Sequence, residues 1–183
     1  QLPAGIKVAN WYDQSELIVS SAQSVRDAII VGVVFAVLIL LLFLRNLKVT
    51  LIAAIAVPSA LAATVLLLYV FNMSFNMMTL GGMAAAVGLI IDDAIVMVEH
   101  IARRLTEDGA LRGRALRAAK EFTKSLAGSS ASTIIIFAPL AFLSGVTGAF
   151  FKALSLTMAA SLVISFVVAW LAVPLLTDRF LNE

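Results

Sequence analysis

Two adjacent carboxylates, Asp92 and Asp93, stand inside an otherwise apolar run, MMTLGGMAAAVGLIIDDAIVMVEHI. Asp92 lies about 22 Å from Met77 and Asp93 about 15 Å from Arg103 if the run is helical, at 1.5 Å per residue. Both are therefore deep in whatever layer surrounds the helix. At the centre of a bilayer an aspartate costs about 2.5 to 3.5 kcal/mol on insertion scales. As mere anchors between helices the pair would be wasteful, because Asn or Ser supplies such hydrogen bonds with far less desolvation. Reversible proton binding is chemistry that needs them. Burial and mutual repulsion both disfavour two charged forms, so the carboxyls should titrate as a coupled unit and respond to any cation that approaches. Consecutive helical residues project about 100° apart, so each aspartate should serve a different neighbour.

Other reactive side chains are scarce. There is no cysteine and a single histidine, which excludes thiol catalysis, disulfide frameworks and multi-histidine metal cages; no cofactor or metal is expected. Glu99 can pair with Arg103 at i, i+4, and His100 suits the end of a helix. Gly81, Ala85 and Gly88 lead up to Asp92, and Gly82 and Ala86 to Asp93; their first reading is close helix packing. Helix-breaking Pro58 and Pro139, and the hydroxyls Ser125, Ser129, Ser130, Ser132 and Thr133, add local irregularity. Most of those hydroxyls are expected to bond carbonyls of their own helix.

The elements that must position the pair follow from composition. Of 183 residues, 62% are hydrophobic and 13% charged, more apolar surface than a soluble core of this size could hide, so lipid is the solvent. Five stretches approach the 20 or so residues that span a bilayer: 28–44, 49–71, 77–101, 125–143 and 153–176. They are apolar all round and lack a period of two, which predicts helices rather than barrel strands. The fold class is an all-α polytopic helix bundle, with residues 1–24 outside the bilayer and 25–183 forming the transmembrane domain. Asp13 and Glu16 suggest a capping box for an entry helix, and GIKVANW reads as the end of a soluble domain. The start at Gln1 reads as a piece of a longer protein.

Ten of the thirteen basic residues fall on one side of these helices, in the loops near 45–48 and 103–124 and at Arg179; Lys7, Arg26 and Lys152 fall on the other. The richer side should be cytoplasmic, with the N-terminal segment outside and the C-terminus inside. The 103–124 stretch mixes both signs and reads as a solvated helical hairpin, with no nucleic acid implied. Tyr69, Phe71, Phe150 and Phe151 mark the opposite interface.

GLIIDDAIVMVEHIARRL (Gly88 to Leu105) closely resembles the fourth transmembrane helix of resistance-nodulation-division efflux pumps of the AcrB-like hydrophobe and amphiphile branch. LRNLKVTLIAAIAVPSALAAT and FAPLAFLSGVTGAFFKALSLT resemble the same family's third helix and its fifth-to-sixth helix junction, so the five helices correspond to family helices two to six. The resemblance implies that Asp92 and Asp93 are proton-relay carboxylates of a proton/drug antiporter rather than an enzyme. It also implies a bacterial inner-membrane homotrimer exporting amphiphilic compounds, working with a periplasmic adaptor and an outer-membrane channel. The porter domain and the lysine that answers the aspartates belong to parts of the family outside this sequence. The heavy-metal branch resembles the chain less, since one acidic residue is usual there. A protein-export or sterol-sensing relative is the alternative module. An intramembrane aspartyl protease needs its two aspartates on facing helices, whereas here they are adjacent.

Overall fold

In a computed structural model, residues 13–108 and 114–181 are described. The GIKVANW strand expected ahead of the helices and the tip of the hairpin lie outside the described residues. Helix α1 spans Gln14–Leu44, α2 Leu47–Val70, α3 Met77–Asp108, α4 Arg114–Phe137, α5 Gly145–Val167 and α6 Val173–Leu181. A 3-10 turn, Ala138–Phe142, follows α4, and a π-helical turn, Val168–Ala172, joins α5 to α6. Among the described residues, five helical stretches are long and apolar enough to cross a bilayer.

The helix boundaries are written in short polar side chains. Asp13 accepts from the backbone N–H of Ser15 (2.9 Å) and opens α1. Arg45, in the left-handed region at φ 48°, closes it, and the Asn46 carboxamide accepts from the N–H groups of Lys48 and Val49 to start α2. Asn76 accepts from Met78 and Thr79 while its own N–H donates to the Thr79 hydroxyl, a reciprocal cap on α3. The helices extend beyond their apolar stretches. The first begins at residue 14, where Asp13 caps an entry helix that runs on into the apolar stretch 28–44. The fourth begins at 114 rather than 125, and the third runs on to 108, so the arms of the basic hairpin are extensions of transmembrane helices. The fifth starts at Gly145 rather than 153. There Gly148 is required: a Cβ would stand 2.1 Å from the Leu143 carbonyl oxygen, a backbone atom that cannot yield.

Two prolines set the irregular turns. The α-helical hydrogen bonding of α4 ends at Phe137, two residues before Pro139, and the Ser155 hydroxyl donates to the Phe137 carbonyl (2.8 Å) at that switch. Pro174 has no N–H for the carbonyl of Trp170, and just before it the Val173 N–H reaches back five residues to Val168, the π-type bond.

Helix α3 is the axis of the bundle, touching each of the other five helices, whereas α1, among the described residues, touches only α2 and α3. Its buried stripe repeats at three and four residues through Thr79, Leu80, Met83, Ala86, Val87, Ile90, Asp93, Ala94, Met97, Val98 and Ile101. Ile52, Ala56 and Ala60 of α2 and Ala169 and Val173 beyond the 3-10 turn join that core. Large apolar side chains elsewhere, Phe35, Leu42, Leu66, Tyr69 and Ile136 among them, are exposed, as suits a bundle whose outer solvent is hydrocarbon.

Candidate functional site

The two aspartates sit on opposite sides of the boundary between the inside and the outside of the bundle. Asp93 is 9% exposed, within the buried stripe of α3, and Asp92, one residue earlier, is exposed. The 100° step between neighbours produces this split. Across from Asp93, the Ser165 hydroxyl of α5 donates to Oδ2 at 2.8 Å. Asp92 makes no hydrogen bond or ion pair among the described residues. Its face of α3 continues with Gly81, Ala85, Gly88 and Val96, all exposed.

The contact with Ser165 depends on how closely α5 approaches. Helices α3 and α5 run parallel, Gly82 meeting Leu154 and Thr157 near one end and Asp93 meeting Ser165 about three turns on. A Cβ at position 82 would stand 3.0 Å from the Leu154 carbonyl oxygen and 3.1 Å from Thr157 Cβ. Gly82 is thus a packing glycine, as its spacing suggested, and its packing brings a hydroxyl to a carboxylate. Gly88, in contrast, leaves open space around the position of a Cβ.

Helix α5 presents more than one hydroxyl. Thr157, Ser161 and Ser165 recur every four residues and are all buried. Ser161 donates to the Thr157 carbonyl (2.8 Å), while the Thr157 hydroxyl is buried without a partner. The sequence signal for this stripe is the four-residue spacing of small polar residues within an apolar helix. Of the five helix-four hydroxyls expected mostly to bond their own backbone, two do so among the described residues: Ser132 donates to the Gly128 carbonyl and Thr133 to that of Ser129. Ser130 is buried with its hydroxyl unpaired.

Further along α3 the expected Glu99–Arg103 pair does not form among the described residues; Arg104 pairs instead with Glu121 of α4 at 2.8 Å. His100 is not at a helix end, since α3 continues two turns beyond it, and its ring stacks on Phe122 with centroids 5.0 Å apart. Among the described residues, neither hydrogen-bonds to nor pairs with the Asp92 and Asp93 carboxyls. Among the described residues no group of three or more His, Cys, Asp or Glu is arranged to hold a metal ion.

This arrangement, a parallel helix pair carrying adjacent carboxyls with one sealed against a serine, occurs within a sequence that matches the AcrB/AcrD/AcrF family over residues 1–183. The chain belongs to that family. Relatives include the swarming motility protein SwrC of Bacillus subtilis, 38% identical over 98% of this chain and 17% of that protein. The multidrug export protein AcrF of Escherichia coli is 34% identical over 98% of this chain and 18% of its own length. The toluene efflux pump membrane transporter TtgE of Pseudomonas putida is 35% identical over 99% of this chain and 17% of its own. The chain thus spans less than a fifth of these relatives, all of it within the family match and rich in membrane-spanning helix. It is an AcrB-like transmembrane segment of several passes.

Proposed function

We propose that this chain is the proton-translocating transmembrane part of a secondary active efflux pump that exchanges protons for hydrophobic or amphiphilic compounds, with Asp92 and Asp93 as its relay. The observation that carries the reading is the split environment of two adjacent carboxyls at mid-depth, one buried on Ser165 and one on an outward face. Relatives named for multidrug export and toluene efflux supply the class of cargo.

The geometry gives the relay a physical means of being felt. Ionised Asp93 accepts the Ser165 hydroxyl; protonated, it becomes a donor, and Ser165 can turn its own O–H to the Ser161 carbonyl four residues back. The bond joining α3 to α5 therefore changes direction with the proton. Asp92, on a face open at mid-membrane, needs a cation or water from beyond this sequence to offset a burial cost of about 2.5 to 3.5 kcal/mol. A charge crossing the membrane potential releases about 2.3 kcal/mol per 100 mV, enough to bias two packings that differ by a few kcal/mol.

In this reading the pump resides in the bacterial inner membrane as a homotrimer, with the N-terminal segment periplasmic and the C-terminus cytoplasmic. A periplasmic adaptor and an outer-membrane channel complete the route. The test is export by cells expressing full-length protein. Asp92→Asn and Asp93→Asn should each abolish it while leaving expression and assembly near normal. Full export by either variant overturns the assignment.

A further inference from the structure

At the end of the bundle away from the basic loops, a cavity of about 290 Å³ opens between the loop ahead of α3 and the start of α5, and its lining reaches inward to Thr79 on α3 and Leu156 on α5. About one turn farther in, Gly82 meets Thr157, whose hydroxyl is fully buried and has no hydrogen-bond partner. We propose that Thr157 and Ser161 carry protons from this cavity to Asp93 along the seam between α3 and α5, with the Gly82–Thr157 contact as its gate. The inference rests on the relay reading and adds the route by which one of the carboxyls is reached.

Thr157, Ser161 and Ser165 follow one another at about 6 Å along α5, and Ser165 donates to Asp93. A hop between oxygens needs about 2.8 Å, so a single water spans each interval when the seam is wet. A hydroxyl both donates and accepts. Each oxygen takes a proton from the water behind it and passes its own forward, the last arriving on Asp93 Oδ2; only O–H bonds form and break. In the arrangement seen the seam is shut. A Cβ at Gly82 would stand 3.0 Å from the Leu154 carbonyl oxygen and 3.1 Å from Thr157 Cβ, and Ser161 is turned to the Thr157 carbonyl. The Thr157 hydroxyl is committed to nothing there, a burial that costs stability and that valine, of the same shape, would avoid. Thr64 is the contrast: equally buried, it bonds the Ala60 carbonyl of its own helix. Lys152, the one charged residue of the cavity lining, is exposed and about 7.5 Å outward of Thr157 along α5. Asp93 is the one charged residue among the buried polar groups of the described residues.

The experiment measures substrate-coupled proton flux by full-length protein in liposomes, with the pH set separately on the two sides. Thr157→Val should slow the flux about tenfold, and lowering the pH on the outer side by about one unit should recover it, while the dependence on inner pH stays as in wild type. Thr157→Ser, which keeps the hydroxyl, and Thr64→Val, which removes one that only bonds its own helix, should both stay near wild type. Ser161→Ala should give the same outer-side shift as Thr157→Val and stands in for it if valine at 157 prevents assembly. A packing defect has no side, so a loss equal at both faces, or wild-type flux in Thr157→Val or Ser161→Ala, would overturn the route. Asp93→Asn separates the two readings: flux abolished there but normal in Thr157→Val removes the route and leaves the relay, whereas flux surviving in Asp93→Asn removes both.

Discussion

Ser165 on α5 donates its hydroxyl to Asp93 on α3 across 2.8 Å, the only hydrogen bond among the described residues that joins a side chain of one transmembrane helix to a buried carboxylate of another. A hydrogen bond to a charged group contributes about 1.5 to 3 kcal/mol, and a buried acceptor deprived of it loses at least that much. Ser165→Ala should therefore reduce export by roughly tenfold or more and alter its pH dependence. Ser165→Thr, which keeps the hydroxyl, should restore much of it. Normal export and an unchanged pH profile in the alanine variant would show that the serine is a packing residue only.

Gly82→Ala should destabilise the bundle by about 1 to 3 kcal/mol, because the added methyl meets a backbone carbonyl at 3.0 Å and α5 must retreat. Gly128→Ala is the comparison. Nothing lies within 4 Å of its Cβ position, and alanine favours helix by about 1 kcal/mol, so the thermal midpoint in detergent should hold or rise. Equal midpoints for both variants would remove the packing argument.

Much of this was legible in the sequence. The fold class followed from composition, since no soluble core absorbs such a chain, and the position of the Asp pair on one helix followed from an uninterrupted apolar run. What the sequence did not display was which aspartate is sealed. That depends on α5 packing in parallel against the Gly82 face, a long-range arrangement that α3 alone cannot specify. Hydropathy marks only the lipid-facing part of each helix, because it measures solvent and not backbone hydrogen bonding; the polar extensions at 14–27 and 114–124 were legible through the Asp13 cap and the mixed charges of the hairpin. The π-helical turn Val168–Ala172 leaves no mark in hydropathy, which does not distinguish Pro174 from its apolar neighbours by backbone hydrogen bonding.

The head of α1 offers a pH test outside the membrane. The hydroxyl and the backbone N–H of Ser15 hold the exposed Asp13 carboxyl below its ordinary value near 3.8. A lowered value means the cap stabilises the folded state above that ordinary value and is lost as the pH falls through the lower, folded one. Amide exchange at the first turn of α1 should accelerate on acidification through that window in wild type. Asp13→Asn, which retains an acceptor without a charge, should flatten the response; an identical acid response in both would contradict it.

Topology is testable by cysteine labelling, since these 183 residues contain no cysteine and any elsewhere in the full-length protein can be replaced first. With the basic side inside, Ser74→Cys should be labelled by an impermeant thiol reagent from outside intact cells, and Gly113→Cys only after permeabilisation. The reverse pattern would invert the membrane orientation and the direction of the proton path.

The most direct measurement of the relay is proton movement itself. Full-length protein is reconstituted in liposomes containing a pH-sensitive dye, and substrate is added under an imposed proton gradient. Wild type should dissipate the gradient in step with substrate transport, and Asp92→Asn and Asp93→Asn should each show no substrate-dependent flux. Wild-type proton flux in either variant would contradict the central claim that this pair carries the proton.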